Sequence, residues 1–163
     1  MFKDAWFREN ISDVTFVQDN QSLSSVPGTV RGLHFQLDPF AQGKLVRCIA
    51  GSIFDVAVDI RSGSPTYGQW VGTELSAETG DQLWIPAGFA HGFATLKPDT
   101  VIHYKVTATY SAAHDRGLLW NDPAIGIAWP VAEANAVLSD KDRKQPILAD
   151  LPPSFSFEPA KVA

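Results

Sequence analysis

The chain has 163 residues and a mass of 17.7 kDa, with 13 Lys plus Arg against 18 Asp plus Glu and a net charge of −5. That balance argues against a general nucleic-acid binder, which needs excess cations to displace counterions from phosphates, yet it leaves room for a small anionic ligand held by a few cations in one cleft. Hydrophobic residues at 45% and charged residues at 19% allow one buried core, so a single domain over 1–163 is expected and disorder is not.

The chain opens with MFKDAWFREN, which places charges where a signal peptide needs an apolar run. Further along, RGLHFQ places His34 after Gly32 at the entry of a strand, and a loop with Pro39 and Gly43 leads to a second strand beginning at Lys44. KLVRCIAGSIFDVAVDI holds a Gly-Ser break between two β-branched, apolar runs, which reads as a hairpin or a tight bend. Within it, Val56, Val58 and Ile60 alternate with Asp55, Ala57 and Asp59, predicting one buried face and one wetter face. QWVGTEL, QLWIPAG, HGFATL and VIHYKVTATY follow as short runs separated by Gly, Pro, Ser or Asp. The longest stretch without Asp, Glu, Lys or Arg, Gln82–Leu96, falls short of the ~20 apolar residues of a membrane span. Helix is expected only near the C-terminus, where Ser139 can cap a turn through Arg143 that Pro146 stops; the tail LPPSFSFEPAKVA should lie extended on the surface. Gly and Pro are dispersed, with no repeat and no linker. This pattern predicts an all-β antiparallel sandwich or barrel in a soluble, cytoplasmic protein.

Few catalytic motifs are present. There is no GxSxG, dinucleotide fingerprint or P-loop, and Cys48, the one Cys, sits in an apolar strand as a small core residue in a chain suited to a reducing compartment. The four His (His34, His91, His103, His114) form no HxH pair, which speaks against a metal on one strand face. More informative is Lys44, which shares a strand face with Val46 and Cys48; Tyr104 shares one with Ile102 and Val106, while His103 and Lys105 point the other way. If His34, Lys44 and Tyr104 meet in one barrel, an imidazole can take a proton from carbon beside a carbonyl, a cation can stabilise the enolate, and a phenol can return a proton to the opposite face. Such a base needs a carboxylate partner, and the spacing alone leaves several candidates open.

RGLHFQ, AQGKLVR, FDVAVDIRSGSPTYGQWVG, LWIPAGFAHGF, YKVTATYS, WNDPAIGIAWP and LSDKD, in this order, resemble the dTDP-4-dehydrorhamnose 3,5-epimerase family from about Gln18 to Pro146. The resemblance implies a jelly-roll (cupin) barrel with short C-terminal helical segments, a homodimer, and no metal or organic cofactor. It also implies inversion of C3 and/or C5 of a dTDP-4-keto-6-deoxyhexose. By position it assigns His34 as general base, Asp142 as its partner, Lys44 as the enolate-stabilising cation and Tyr104 as general acid. Arg31 and His91 line the substrate site, and Gln18 and Asn20 contact the nucleotide end, partly across the dimer. Residues 1–30 form an arm and strands at the dimer interface, and 131–163 a helical segment and tail. The family's Asp-Arg-Gly motif precedes the point where this sequence starts, so the resemblance implies either that other cations such as Arg31 compensate in holding the diphosphate or that nucleotide affinity is reduced; Thr109, beside Tyr110, stands where the family often has an aromatic. A metal-dependent cupin enzyme and a non-catalytic sugar-nucleotide-binding cupin are the competing readings.

Overall fold

In a computed structural model, which describes residues 2–159, the short apolar runs form strands β1 (Gln18–Ser24), β2 (Val30–Gln36), β3 (Lys44–Ala50), β4 (Ser52–Asp59) and β5 (Arg61–Ser62). They continue as β6 (Trp70–Ser76), β7 (Gln82–Ile85), β8 (Phe89–Thr95), β9 (Thr100–Val106), β10 (Asp115–Gly117) and β11 (Phe155–Ser156). Two antiparallel sheets result, one ordered β1-β9-β3-β7 and the other β10-β2-β8-β4-β6. Between them Val46, Cys48, Ile85 and Ile102 of the first sheet pack on Ile53, Ala57, Leu75 and Phe93 of the second. The all-β, jelly-roll (cupin) barrel expected from the sequence is the fold observed.

The Gly-Ser break turns out to be a bend between sheets and not a hairpin: β3 pairs with β7 and β9, β4 with β6 and β8. Gly51 makes this possible. Its φ is 75°, and a Cβ at this position would lie only 2.3 Å from Thr100 Oγ1, which excludes any side chain.

The alternation in β4 also reads differently in three dimensions. Both faces are buried. Val56, Val58 and Ile60 lie under a second apolar layer that includes Leu118, Ile125, Trp129, Leu148 and Leu151, so the C-terminal third of the chain covers the outer surface of the five-stranded sheet. The face expected to be wetter is the barrel interior, where Asp55 and Asp59 are 0% and 1% exposed. Each Val or Ile so enclosed contributes roughly 1.5–3 kcal/mol.

Helix is not confined to the C-terminus. A seven-residue helix, α1 (Asp4–Asn10), precedes the first strand, and its buried Phe7 docks on the outside of the four-stranded sheet. There Phe7 meets Phe16 and Trp84 edge-on at centroid distances of 5.2 Å each. The C-terminal helical segments are single 3₁₀ turns at Glu133–Asn135, Asp142–Lys144 and Leu148–Asp150. The tail is pinned, not merely laid on the surface: β11 pairs in parallel with β5, and the Arg61 guanidinium stacks over Phe89 and Phe157. The end of the expected tail, 160–163, lies outside the described residues. Among the described residues no helix is long and apolar enough to cross a membrane.

Candidate active site

A cavity of about 450 Å³ opens into the barrel between the two sheets. Arg31, His34, Lys44, His91, Tyr104 and Asp142 all line it, so six of the eight residues singled out in the sequence meet in one place. Gln18 and Asn20 are not among the lining residues. They bond to each other (Gln18 Nε2–H to Asn20 Oδ1, 2.7 Å) on the same face of β1 as Ser22, which does reach the cavity.

Local backbone chemistry explains why RGLHFQ delivers two side chains to the same cavity. Residues three apart on a regular strand face opposite ways. Between Arg31 and His34, however, the register of β2 against β8 shifts, and the irregularity turns both inward. Gly32 is required there: its φ is 127°, and a Cβ would lie 2.5 Å from Gly92 Cα. Leu33, fully buried, points the other way into the apolar layer and anchors the bulge.

His34 bonds through Nε2 to Asp142 Oδ1 at 2.5 Å, across 108 residues of sequence. The carboxylate side chain is 4% exposed and the imidazole 30%, so the acid is enclosed while the ring faces the cavity. Asp142 opens the 3₁₀ turn Asp142–Lys144, whose N-cap position is Lys141 and not the expected Ser139; Ser139 Oγ nevertheless accepts the Asp142 N–H at 3.1 Å and donates to Asp142 Oδ2 at 2.8 Å. Burial opposes ionisation of Asp142, but the bonds from His34 and Ser139 outweigh it and hold the carboxyl below its usual range.

Lys44 opens β3 with Val46 and Cys48 on its face, as expected. Burial strips solvation from its ammonium and lowers its pKa to about 8, against the opposing pull of Asp115 and Asp55. Tyr104 is held up by burial, with a smaller opposing effect from Arg31, so it keeps its proton. It faces inward among Val46, Ile102 and Phe93.

Asp55 escapes the sequence reading. It is fully enclosed and binds His91 Nε2 through Oδ1 at 2.7 Å, leaving Oδ2 without a partner. Burial drives the His91 pKa down despite that carboxylate, favouring the neutral ring. The one available signal is an Asp flanked on its own strand face by Ile53 and Ala57. Lys141, also missed, lines the cavity and pairs with Asp115, which accepts a further bond from Tyr110 at 3.1 Å. Among the described residues no three His, Cys, Asp or Glu are placed to hold a metal ion.

The cavity thus collects a base with an enclosed acid partner, a desolvated cation and a protonated phenol, a set able to abstract and return protons beside a carbonyl. Comparison with known proteins agrees. The family model for dTDP-4-dehydrorhamnose 3,5-epimerase matches residues 1–150. A dTDP-4-dehydrorhamnose 3,5-epimerase of Sinorhizobium fredii (strain NBRC 101917 / NGR234) is 68% identical over 157 residues, covering 96% of this chain and 80% of that relative. Among solved structures, a dTDP-6-deoxy-D-glucose-3,5-epimerase from Legionella pneumophila Philadelphia 1, in complex with dTDP-4-keto-L-rhamnose, superposes with a TM-score of 0.92 at 42% identity over 97% of this chain and 84% of that one. A dTDP-4-dehydrorhamnose 3,5-epimerase from Bacillus anthracis with TDP and PPi bound gives 0.86 at 50% identity over 90% and 82%. Matched along its length in sequence and in backbone, the chain belongs to the dTDP-4-dehydrorhamnose 3,5-epimerase family.

Proposed function

We propose that this protein is an isomerase that inverts C3 and C5 of a dTDP-4-keto-6-deoxyhexose, converting dTDP-4-dehydro-6-deoxyglucose to dTDP-4-dehydrorhamnose. The observation that carries the reading is the enclosed His34–Asp142 pair sharing one cavity with Lys44 and Tyr104.

C3 and C5 both flank the C4 carbonyl, so their protons are acidified by the same group. His34 removes the proton, and the C–H electron pair moves through the new C=C bond onto the C4 oxygen. Asp142 stabilises the imidazolium that forms. Lys44 stands by the enolate oxygen; with a pKa near 8 its ammonium gives up a hydrogen-bonding proton more readily than an ordinary lysine. Tyr104 then donates its phenolic proton to the opposite face of the same carbon, and the configuration inverts. Solvent reprotonates the phenolate and takes the proton from His34.

Arg31 and His91, which line the cavity, hold the sugar and its diphosphate, and Gln18 and Asn20, outside the cavity lining but on the β1 face that Ser22 shares, take the nucleotide end. The reading includes one domain over 1–163, a cytoplasmic homodimer, and residues 1–30 at its interface. Exposed Val17, Leu23 and Ile49 on or beside the outer face of the four-stranded sheet support such pairing. NMR of the keto sugar incubated with the protein in D₂O tests the reading. Deuterium should enter at C3 and C5 as the rhamno product forms; exchange at one carbon would restrict the activity to that centre, and no exchange would leave a binding protein.

A further inference from the structure

Asp142 has two carboxylate oxygens, and the pairing with His34 uses one. The other, Oδ2, accepts the Ser139 hydroxyl at 2.8 Å while Ser139 Oγ accepts the Asp142 N–H at 3.1 Å, so hydroxyl, carboxylate and backbone close a small ring. Asp142 is 3% exposed, which leaves little room for water to replace that hydroxyl. The torsion about the carboxylate bond of Asp is broad and roughly two-fold, and a single bond to His34 fixes the plane poorly. A second bond at the other oxygen fixes it.

We infer that Ser139 is a positioning residue for proton abstraction, holding the Asp142 carboxylate in the plane that presents Oδ1 to His34. This rests on the assignment of His34 and Asp142 as the base pair. Ser139 acts through Asp142. The turn that carries both keeps other bonds: Arg143 N–H to Ser139 O and Lys144 N–H to Lys141 O, each 3.2 Å, and the Lys141–Asp115 ion pair to β10. Removing the hydroxyl therefore frees the carboxylate without unmaking the turn.

The test compares side chains of matched shape. Ser139→Val and Ser139→Thr differ in the hydroxyl alone, and equal melting temperatures show that both fold. With the keto sugar in D₂O, Ser139→Val and Ser139→Ala should lower kcat for exchange about tenfold at unchanged KM, the scale of one lost hydrogen bond to a charged group. Ser139→Thr should restore it to within about twofold. In an Asp142→Asn background, Ser139→Ala should cost nothing further, because the group it orients is gone. Wild-type kcat in Ser139→Ala, or the same loss in both backgrounds, overturns the inference and leaves the base assignment standing. Wild-type exchange by Asp142→Asn itself overturns both.

Discussion

Replacing Asp142 by Asn changes one charge at nearly constant volume, in a place where the structure allows little compensation. The side chain is 3% exposed, and its Oδ1 is 2.5 Å from His34 Nε2. In the variant, an amide nitrogen facing Nε2 opposes a donor to a donor. An amide oxygen facing it keeps the bond but not the negative charge that stabilises the imidazolium. Either way the base loses its counter-charge, and the enclosed position of residue 142 leaves water little room to replace it. The expected cost is about 10²–10⁴-fold in kcat for deuterium exchange, equivalent to about 3–5 kcal/mol of barrier. KM should hardly move, since the carboxylate lies behind the imidazole. Stability follows a separate rule. Because the His34 and Ser139 bonds hold Asp142 below the ordinary carboxylate range, its stabilising contribution is present at neutral pH. That contribution is lost as pH falls through the depressed value, so wild type and variant should converge in melting temperature in acid. The assay is NMR in D₂O with melting curves on both proteins. A folded Asp142→Asn protein exchanging within about threefold of wild type would refute the pairing as the source of basicity, since the expected loss is at least about a hundredfold.

Tyr104→Phe should leave abstraction intact but remove the opposite-face donor; exchange then proceeds without full inversion, and wild-type product formation would show that another group is the acid. Lys44, with its pKa lowered to about 8, must be charged to stabilise the enolate, so kcat should fall as pH rises above about 8. Lys44→Arg should abolish that alkaline limb, since a guanidinium stays protonated, at the expense of rate; an unchanged limb would assign it to a different group. Gly32→Ala forces a Cβ to 2.5 Å from Gly92 Cα at a φ of 127° and should cost ~3 kcal/mol, a fall of roughly 6–12 °C in melting temperature. Gly63→Ala is its control: φ is 81° with open space around it, and about 1 kcal/mol is expected. Equal losses would mean that close approach at β2 does not matter.

Strands are legible in the sequence because period-two patterning and Gly or Pro punctuation are local. Lys44 and Tyr104 are turned inward by their own strand neighbours, Val46 and Ile102. What lies beyond local pattern is set by distant chain. The polar face of β4 looks solvated until the four-stranded sheet packs over it; Asp55 is then enclosed, with His91 of the neighbouring β8 as its partner. Its other face is enclosed only because residues after Leu118 fold back across it. Asp142 reads locally as a surface carboxylate on a short turn. Its partner lies 108 residues away, and only the resemblance to a family points to the pairing. Helix α1 is missed because its seven residues carry a weak periodic signal, and the docking of Phe7 on Trp84 holds it in place.

His34 is the group on which the chemistry turns, and His34→Ala removes it from a strand whose bulge and Leu33 anchor remain. With dTDP-4-dehydro-6-deoxyglucose in D₂O, the account predicts a folded variant with no deuterium entering at C3 or C5 and no rhamno product. Deuterium appearing at either carbon at the wild-type rate would contradict it.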